Sequence, residues 1–140
     1  MTTAIDSNIL IALWNEDEAL NVLARSVLDA ALGRGELVIA APVYAELSAA
    51  PSRTEPFLDS FCRETGIRVD WSFGEEVWRS AGRAYQQYVS RRRRQNDSAP
   101  RRILTDFVIG AHAMYNGFRL LTLDDRLYRA AFPKLVISAI

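Results

Sequence analysis

The chain has 140 residues, with 17 basic and 17 acidic side chains and a formal net charge of zero. That length suits one domain of about 100–200 residues, burying roughly two-thirds of its unfolded surface without covalent staples. Hydrophobic residues at 49% and charged residues at 24% exclude disorder as the default state.

No apolar run approaches the ~20 residues of a membrane helix. The start, Met1-Thr2-Thr3-Ala4-Ile5-Asp6, has no basic stretch and soon meets an acid, which argues against a secretory signal. The expected location is the cytoplasm, with no membrane partner. One cysteine, Cys62, excludes an internal disulfide and CxxC chemistry. One histidine, His112, excludes HExxH and multi-histidine metal sites. The one lysine, Lys134, follows Pro133 and no glycine loop, so there is no P-loop. The chemistry that remains belongs to carboxylates, hydroxyls, amides and arginine, a set that suits hard cations such as Mg²⁺ or Mn²⁺.

The neutral total conceals an asymmetry. Between Arg79 and Arg102 there are eight arginines against one acid, Asp97, so a polyanionic partner is not excluded.

In chain order, Thr3–Ile5 is expected as a strand ending at Asp6, followed by an apolar helix from Asn8 to Trp14. Asn15 and Glu18 have the spacing of a capping box, opening a helix to about Leu32 that Gly33 and Gly35 stop. Leu37–Ala41 is a continuous apolar run, the mark of a strand buried on both faces. Pro42 starts a helix through Glu46 to about Ala50. Ser52 with Glu55 caps a helix burying Phe57, Leu58 and Phe61, and Gly66–Val69 is a short strand. Ser72 with Glu75 caps the next helix, along which Val77, Trp78, Ala81, Ala84, Tyr85 and Tyr88 recur at helical spacing. Arg91 to Pro100 reads as a long polar loop. Ile103–Met114 is an apolar core helix, Leu120–Thr122 a strand, Asp125–Ala131 a short helix and Leu135–Ile137 a last strand. Alternating strands and helices predict an α/β fold of three layers around a parallel sheet.

Four acids fall in corresponding places. Asp6 ends the first strand, and Asp124 lies just past the strand at 120–122. Glu46 sits about one turn into the helix after the second strand, and Asp106 in the first turn of the core helix. Ligands in open α/β sheets bind outside the carboxyl ends of the strands, near the switch in strand order. Carboxylates sharing a small pocket raise one another's pKa, and a divalent cation relieves that conflict. Such a cation can also activate water and orient a phosphodiester for in-line attack. Each aspartate taken singly could equally be a helix cap. Glu46, among Val43, Ala45, Leu47 and Ala49, is costly to bury without a task.

The motifs Ile5-Asp6-Ser7-Asn8, Pro42-Val43-Tyr44-Ala45-Glu46-Leu47, Ile103-Leu104-Thr105-Asp106-Phe107-Val108-Ile109-Gly110-Ala111-His112-Ala113 and Leu121-Thr122-Leu123-Asp124-Asp125-Arg126 span nearly the whole chain. In their order and spacing the chain resembles PIN-domain ribonucleases, and most closely VapC-type toxins of toxin–antitoxin pairs. The resemblance implies a PIN-like fold, with four to five parallel strands in one domain over residues 1–140. It implies a Mg²⁺ or Mn²⁺ site formed by Asp6, Glu46, Asp106 and Asp124, with Asp6, Asp106 and Asp124 as metal ligands. It further implies hydrolysis of RNA, neutralisation by a VapB-type antitoxin and a homodimer.

Asn8 and Thr122 are expected to support the carboxylates. Asp125 is read as a helix cap beside Asp124, and His112, six residues beyond Asp106 and rotated away from it, as structural. Trp71 and Trp78 are read as core or interface residues. Arg91, Arg92, Arg93, Arg94 and Arg102 are candidate RNA phosphate contacts. A phosphatase of the haloacid dehalogenase type would need an aspartate where Asn8 stands and a catalytic lysine. The remaining alternative is a catalytically silent, nuclease-like module that binds RNA or protein, against which stand four intact acids.

Overall fold

The computed structural model describes residues 1–16, 19–95 and 103–138. Its elements in chain order are β1 (Thr3–Ile5), α1 (Ser7–Trp14), α2 (Asn21–Arg34), β2 (Leu37–Ala40), α3 (Ala41–Leu47) and α4 (Glu55–Thr65). There follow β3 (Arg68–Asp70), α5 (Glu75–Gln95), α6 (Leu104–Tyr115), β4 (Arg119–Leu121), α7 (Asp125–Ala131) and β5 (Ile137–Ser138). The five strands form one sheet in the order β3-β2-β1-β4-β5, and every pairing is parallel. All residues of β1 and β2 are buried, as strands covered by helices on both faces must be. The expected three-layer α/β architecture is therefore the observed one.

The chain moves outward from β1 through β2 to β3, then returns to place β4 on the other side of β1. The strand order reverses between β1 and β4, which opens a crevice at their carboxyl ends. Ala4 is level with Val38 and Leu120, so Asp6 and Thr122 leave the sheet side by side. Among the described residues no helix is long and apolar enough to cross a membrane.

Three helix starts differ from the spacing-based reading. α2 begins at Asn21 rather than at a cap on Asn15, and Glu18 lies outside the described residues. α4 is capped by Thr54, whose hydroxyl accepts the Phe57 N–H at 3.3 Å, while Ser52 sits at a left-handed φ of 65°. Ser72 does not cap α5; its N–H is bonded to Asp70 Oδ1 at 3.0 Å. The spacing of a capping box recurs by chance, whereas a working cap needs an extended residue next to the first turn. Gly35 does end α2, with φ 148° and the Met1 backbone standing where a Cβ would project.

The largest difference is the arginine run. Arg91–Arg94 form the end of α5 instead of a loop. Arginine is a good helix former, and cations in a last turn face the negative end of the helix dipole. Residues 96–102, including Asp97, Pro100, Arg101 and Arg102, lie outside the described residues. Among the described residues the last strand is Ile137–Ser138 rather than Leu135–Ile137, with Leu135 buried ahead of it.

Asn21 is the first residue of α2 and is buried. Its buried amide donates to the carbonyls of Ala12 and Leu13 at 3.0 and 2.9 Å, closing the end of α1. Asn21→Ala removes both bonds, and thermal unfolding should register a loss of about 1–3 kcal/mol.

Candidate active site

Asp6 follows β1 directly and is 4% exposed. It occupies the N-cap position of α1, yet its side chain makes no cap bond. The carboxylate instead faces the crevice. Its Oδ2 accepts hydrogen bonds from the Thr122 hydroxyl at 2.9 Å, the Tyr128 hydroxyl at 2.9 Å and the Asn8 amide at 3.4 Å. Its Oδ1 meets Ser7 Oγ at 3.5 Å. Burial pushes the Asp6 pKa up, and the bonds from Tyr128, Thr122 and Ser7 oppose that rise without cancelling it.

Glu46 projects from α3 and is half-buried. Ser7 Oγ donates to its Oε1 at 3.1 Å, so a single hydroxyl stands between the Glu46 and Asp6 carboxylates. The Glu46 pKa is raised, first by burial and then by the charges of Asp6 and Asp106, against the bond from Ser7. Tyr128, on α7, is 2% exposed. Its hydroxyl is held far above the ordinary tyrosine range by burial and by the charges of Asp6, Asp106 and Glu46. It therefore stays protonated and acts only as a donor. Asp106 stands in the first turn of α6. Asp6, Glu46 and Asp106, from three separate segments of the chain, thus act on one hydroxyl through their charges.

Asp124 is the N-cap residue of α7 but makes no side-chain cap bond there. Its N–H donates to Thr122 Oγ1 at 3.1 Å. Thr122 is fully buried and ties Asp6 to the Asp124 turn. Asn8 locks the same corner, its amide nitrogen reaching Thr122 Oγ1 at 3.3 Å and its oxygen accepting the Leu123 N–H at 3.1 Å. Asp125 is not the cap expected of it. It opens the first turn of α7 and pairs with Arg129 at 2.6 Å, a bond that lowers its carboxyl below the usual range.

Among the described residues, no three Asp, Glu, His or Cys side chains are already gathered as a metal-ligand group. The carboxylates are coupled through their charges without being drawn together. What fits a cation is the donor chemistry: hard oxygens, surplus negative charge and raised acid pKa values at one strand end.

Two site residues escape the sequence reading. Tyr128 looks like one more apolar position of a short helix, and Ser7 like the first residue of another. Only the tertiary fold brings them to Asp6. His112 is fully buried and bonded through Nε2 to Asp70 Oδ2 at 2.8 Å, between the rings of Phe73 and Phe118. Its bonding partner is the last residue of β3, two strands across the sheet from Asp6. Of the two places expected for Trp71 and Trp78, core or interface, the core is excluded: they are 64% and 52% exposed. Arg91 and Arg94 line a shallow groove with Gln86, Gln87 and Ser90, and Arg92 lies 5.8 Å from the centre of the Tyr88 ring.

A family model described as the PIN domain matches residues 3–133. The chain belongs to the PIN domain family. Solved structures with a similar fold include VapBC2 from Rickettsia felis bound to a DNA fragment from its promoter. That similarity has 17% identity, covers 100% of this chain and 99% of that one, and has a TM-score of 0.63. A toxin–antitoxin complex from Klebsiella pneumoniae is 17% identical over 96% and 95% of the two chains, with a TM-score of 0.66. VapC20 of Mycobacterium tuberculosis, a sarcin-ricin loop cleaving toxin, is 13% identical over 91% and 94%, with a TM-score of 0.59. No curated protein sequence matches the chain.

Proposed function

We propose that this protein is a divalent-cation-dependent endoribonuclease, the toxin of a VapBC-type pair, acting in the cytoplasm and restrained by a cognate antitoxin. The observation that carries the reading is the hydrogen-bonded cluster at the switch between β1 and β4, where Ser7 stands between Asp6 and Glu46, Tyr128 donates to Asp6, and Thr122 ties Asp6 to the Asp124 turn. Structural neighbours that are toxin–antitoxin complexes support the toxin assignment.

Asp6, Asp106 and Asp124 would hold Mg²⁺ or Mn²⁺, with Glu46 beside them. Bound there, the cation supplies Lewis acidity toward water and toward the phosphodiester. Glu46, with its pKa raised, is suited to take the proton of attacking water. Tyr128 and Thr122 keep the Asp6 carboxylate in one orientation by donating to Oδ2. Asn8 fixes the 122–124 turn, which sets where Asp124 leaves the sheet.

The test is purified, antitoxin-free protein incubated with a pool of structured RNAs. Cleavage is expected with Mn²⁺ or Mg²⁺ and none with EDTA, leaving 5′-phosphate and 3′-hydroxyl ends on the products. Equal cleavage in EDTA, or cyclic phosphate ends, overturns the mechanism. The antitoxin is expected to place a basic side chain, an arginine, toward Asp6 and Asp106, substituting for the cation's charge. A homodimer is proposed with it.

Arg91–Arg94, with Arg102, are proposed as phosphate-binding side chains. Changing Arg91–Arg94 to glutamine should weaken binding of single-stranded RNA at low salt. The slope of log K against log salt should fall by roughly 0.7 for each phosphate no longer neutralised. Turnover at saturating RNA should stay near wild type. Because these residues end α5, a small stability loss of about 0.3–1 kcal/mol should accompany removal of their charge–dipole interaction. An unchanged salt slope would assign the run to another role.

A further inference from the structure

We infer that Trp71 is a base-stacking platform for single-stranded RNA beside the acidic site, an inference that rests on the ribonuclease reading above. Trp71 follows the last residue of β3, and Asp70 is level with Ala40 on β2. Ala4 is level with Val38, so the same line across the sheet passes through Asp6. Trp71 therefore emerges at the carboxyl edge that carries the acids, about 10 Å from the Asp6 backbone across two strand spacings. A short stretch of extended single strand covers that distance.

The exposed indole is held rather than loose. Both Asp70 oxygens are used, Oδ2 by the buried His112 ring at 2.8 Å and Oδ1 by the Ser72 N–H at 3.0 Å. The backbone is thus pinned on either side of Trp71. Phe73 stacks on His112 with ring centres 4.9 Å apart, anchoring the next residues. On the other side Tyr44 meets the indole edge-on at 5.0 Å, and Tyr44 is fixed through its hydroxyl to Asp59 Oδ1 at 2.8 Å. The face left open is 64% of the residue.

Its surroundings favour a base over a protein helix. Ala45, Ser48 and Ala49, on or just past the helix of its ring partner Tyr44, and Ser72, next in the chain, are exposed and small. The exposed aliphatic side chains Ile11, Leu20, Val22 and Leu23 lie on α1, α2 and the turn between them, and Ile103 and Leu104 lie at the start of α6. A rigid aromatic face amid small residues presents what an unpaired base needs, and stacking tolerates any base.

The experiment measures binding of a short, end-labelled oligouridylate in EDTA by fluorescence anisotropy, alongside cleavage kinetics with Mn²⁺. Trp71→Ala should weaken binding about 5- to 150-fold, and Trp71→Phe should retain most of it. The salt slope should not change, since no charge is altered. In cleavage, KM should rise with kcat near wild type, because Trp71 does not touch the reacting atoms. Binding of a duplex RNA, whose bases are already paired, should be indifferent to the change. Equal oligouridylate affinity in Trp71→Ala overturns the inference. So does a change confined to oligomeric mass or antitoxin binding, which would make the indole a protein contact. Wild-type binding lost on Trp71→Ala without any cleavage by the wild type would sustain the platform while removing the nuclease reading. Absence of oligouridylate binding by the wild type overturns the platform, while cleavage with Mn²⁺ decides the nuclease reading separately.

Discussion

Asp6→Asn and Asp106→Asn should each reduce RNA cleavage by about 100-fold or more, the range for deleting one strong electrostatic stabiliser. Asparagine at position 6 keeps an oxygen to accept from Tyr128 and Thr122 and loses only the charge. Stability should move the other way. Burial raises the Asp6 pKa, so the unfolded chain ionises first as pH rises. The native state is then progressively penalised between the ordinary carboxylate pKa and the raised one. Below that window wild type and Asp6→Asn should unfold at similar temperatures in EDTA. Above it the variant should match or exceed wild type, and the gap should widen as pH rises through the window. His112→Asn should leave cleavage intact, because its partner is Asp70. An unfolded Asp6→Asn together with an inactive His112→Asn would reverse these roles.

Gly110→Val should lower stability by about 3 kcal/mol, the upper range for overpacking a filled core. In a chain of this size that is a fall of about 10 °C in Tm. A Cβ on Gly110 would overlap the Phe132 ring and stand 3.1 Å from Tyr128 Cδ1. Phe132 is 2% exposed and has nowhere open to retreat. Tyr128, crowded by the same Cβ, is also the residue that holds Asp6, so cleavage should fall with stability. Adding Phe132→Leu should recover part of both, a coupling that a double-mutant cycle measures. An unchanged Tm in Gly110→Val would show that α6 and α7 are not held at this separation.

The fold was legible because strand and helix periods alternate cleanly and β2 is a continuous apolar run. From that alternation follows a parallel sheet, and from a parallel sheet the location of Asp6, Glu46, Asp106 and Asp124. Capping was less legible: spacing alone pointed to Asn15, Ser52 and Ser72, where local geometry places Thr54 for α4 and an uncapped start for α2. The arginine run reads as loop because it is polar, yet polarity along one helix end is what solvent and the dipole favour. Ser7 and Tyr128 could not be found by pattern, since their role depends on partners 39 and 122 residues away. Trp71 shows the converse, an aromatic residue read as core or interface that the fold leaves exposed.

The central position of β1 also bears on the chain as it is being made. β1 appears first in synthesis, but one of its two neighbours is β4, and two of the donors to Asp6 Oδ2 are Thr122 and Tyr128. Until those residues emerge, Asp6 has neither its orienting bonds nor the strand beside it, and β1 has one free edge. Parallel pairing at such sequence separation forms late, after the closure entropy of the intervening chain is overcome. A growing polypeptide therefore carries its acids unassembled until Tyr128 has been made, and the crevice comes into being only once the segment around it can fold back onto the first strand. The order of synthesis thus sets when the site can assemble.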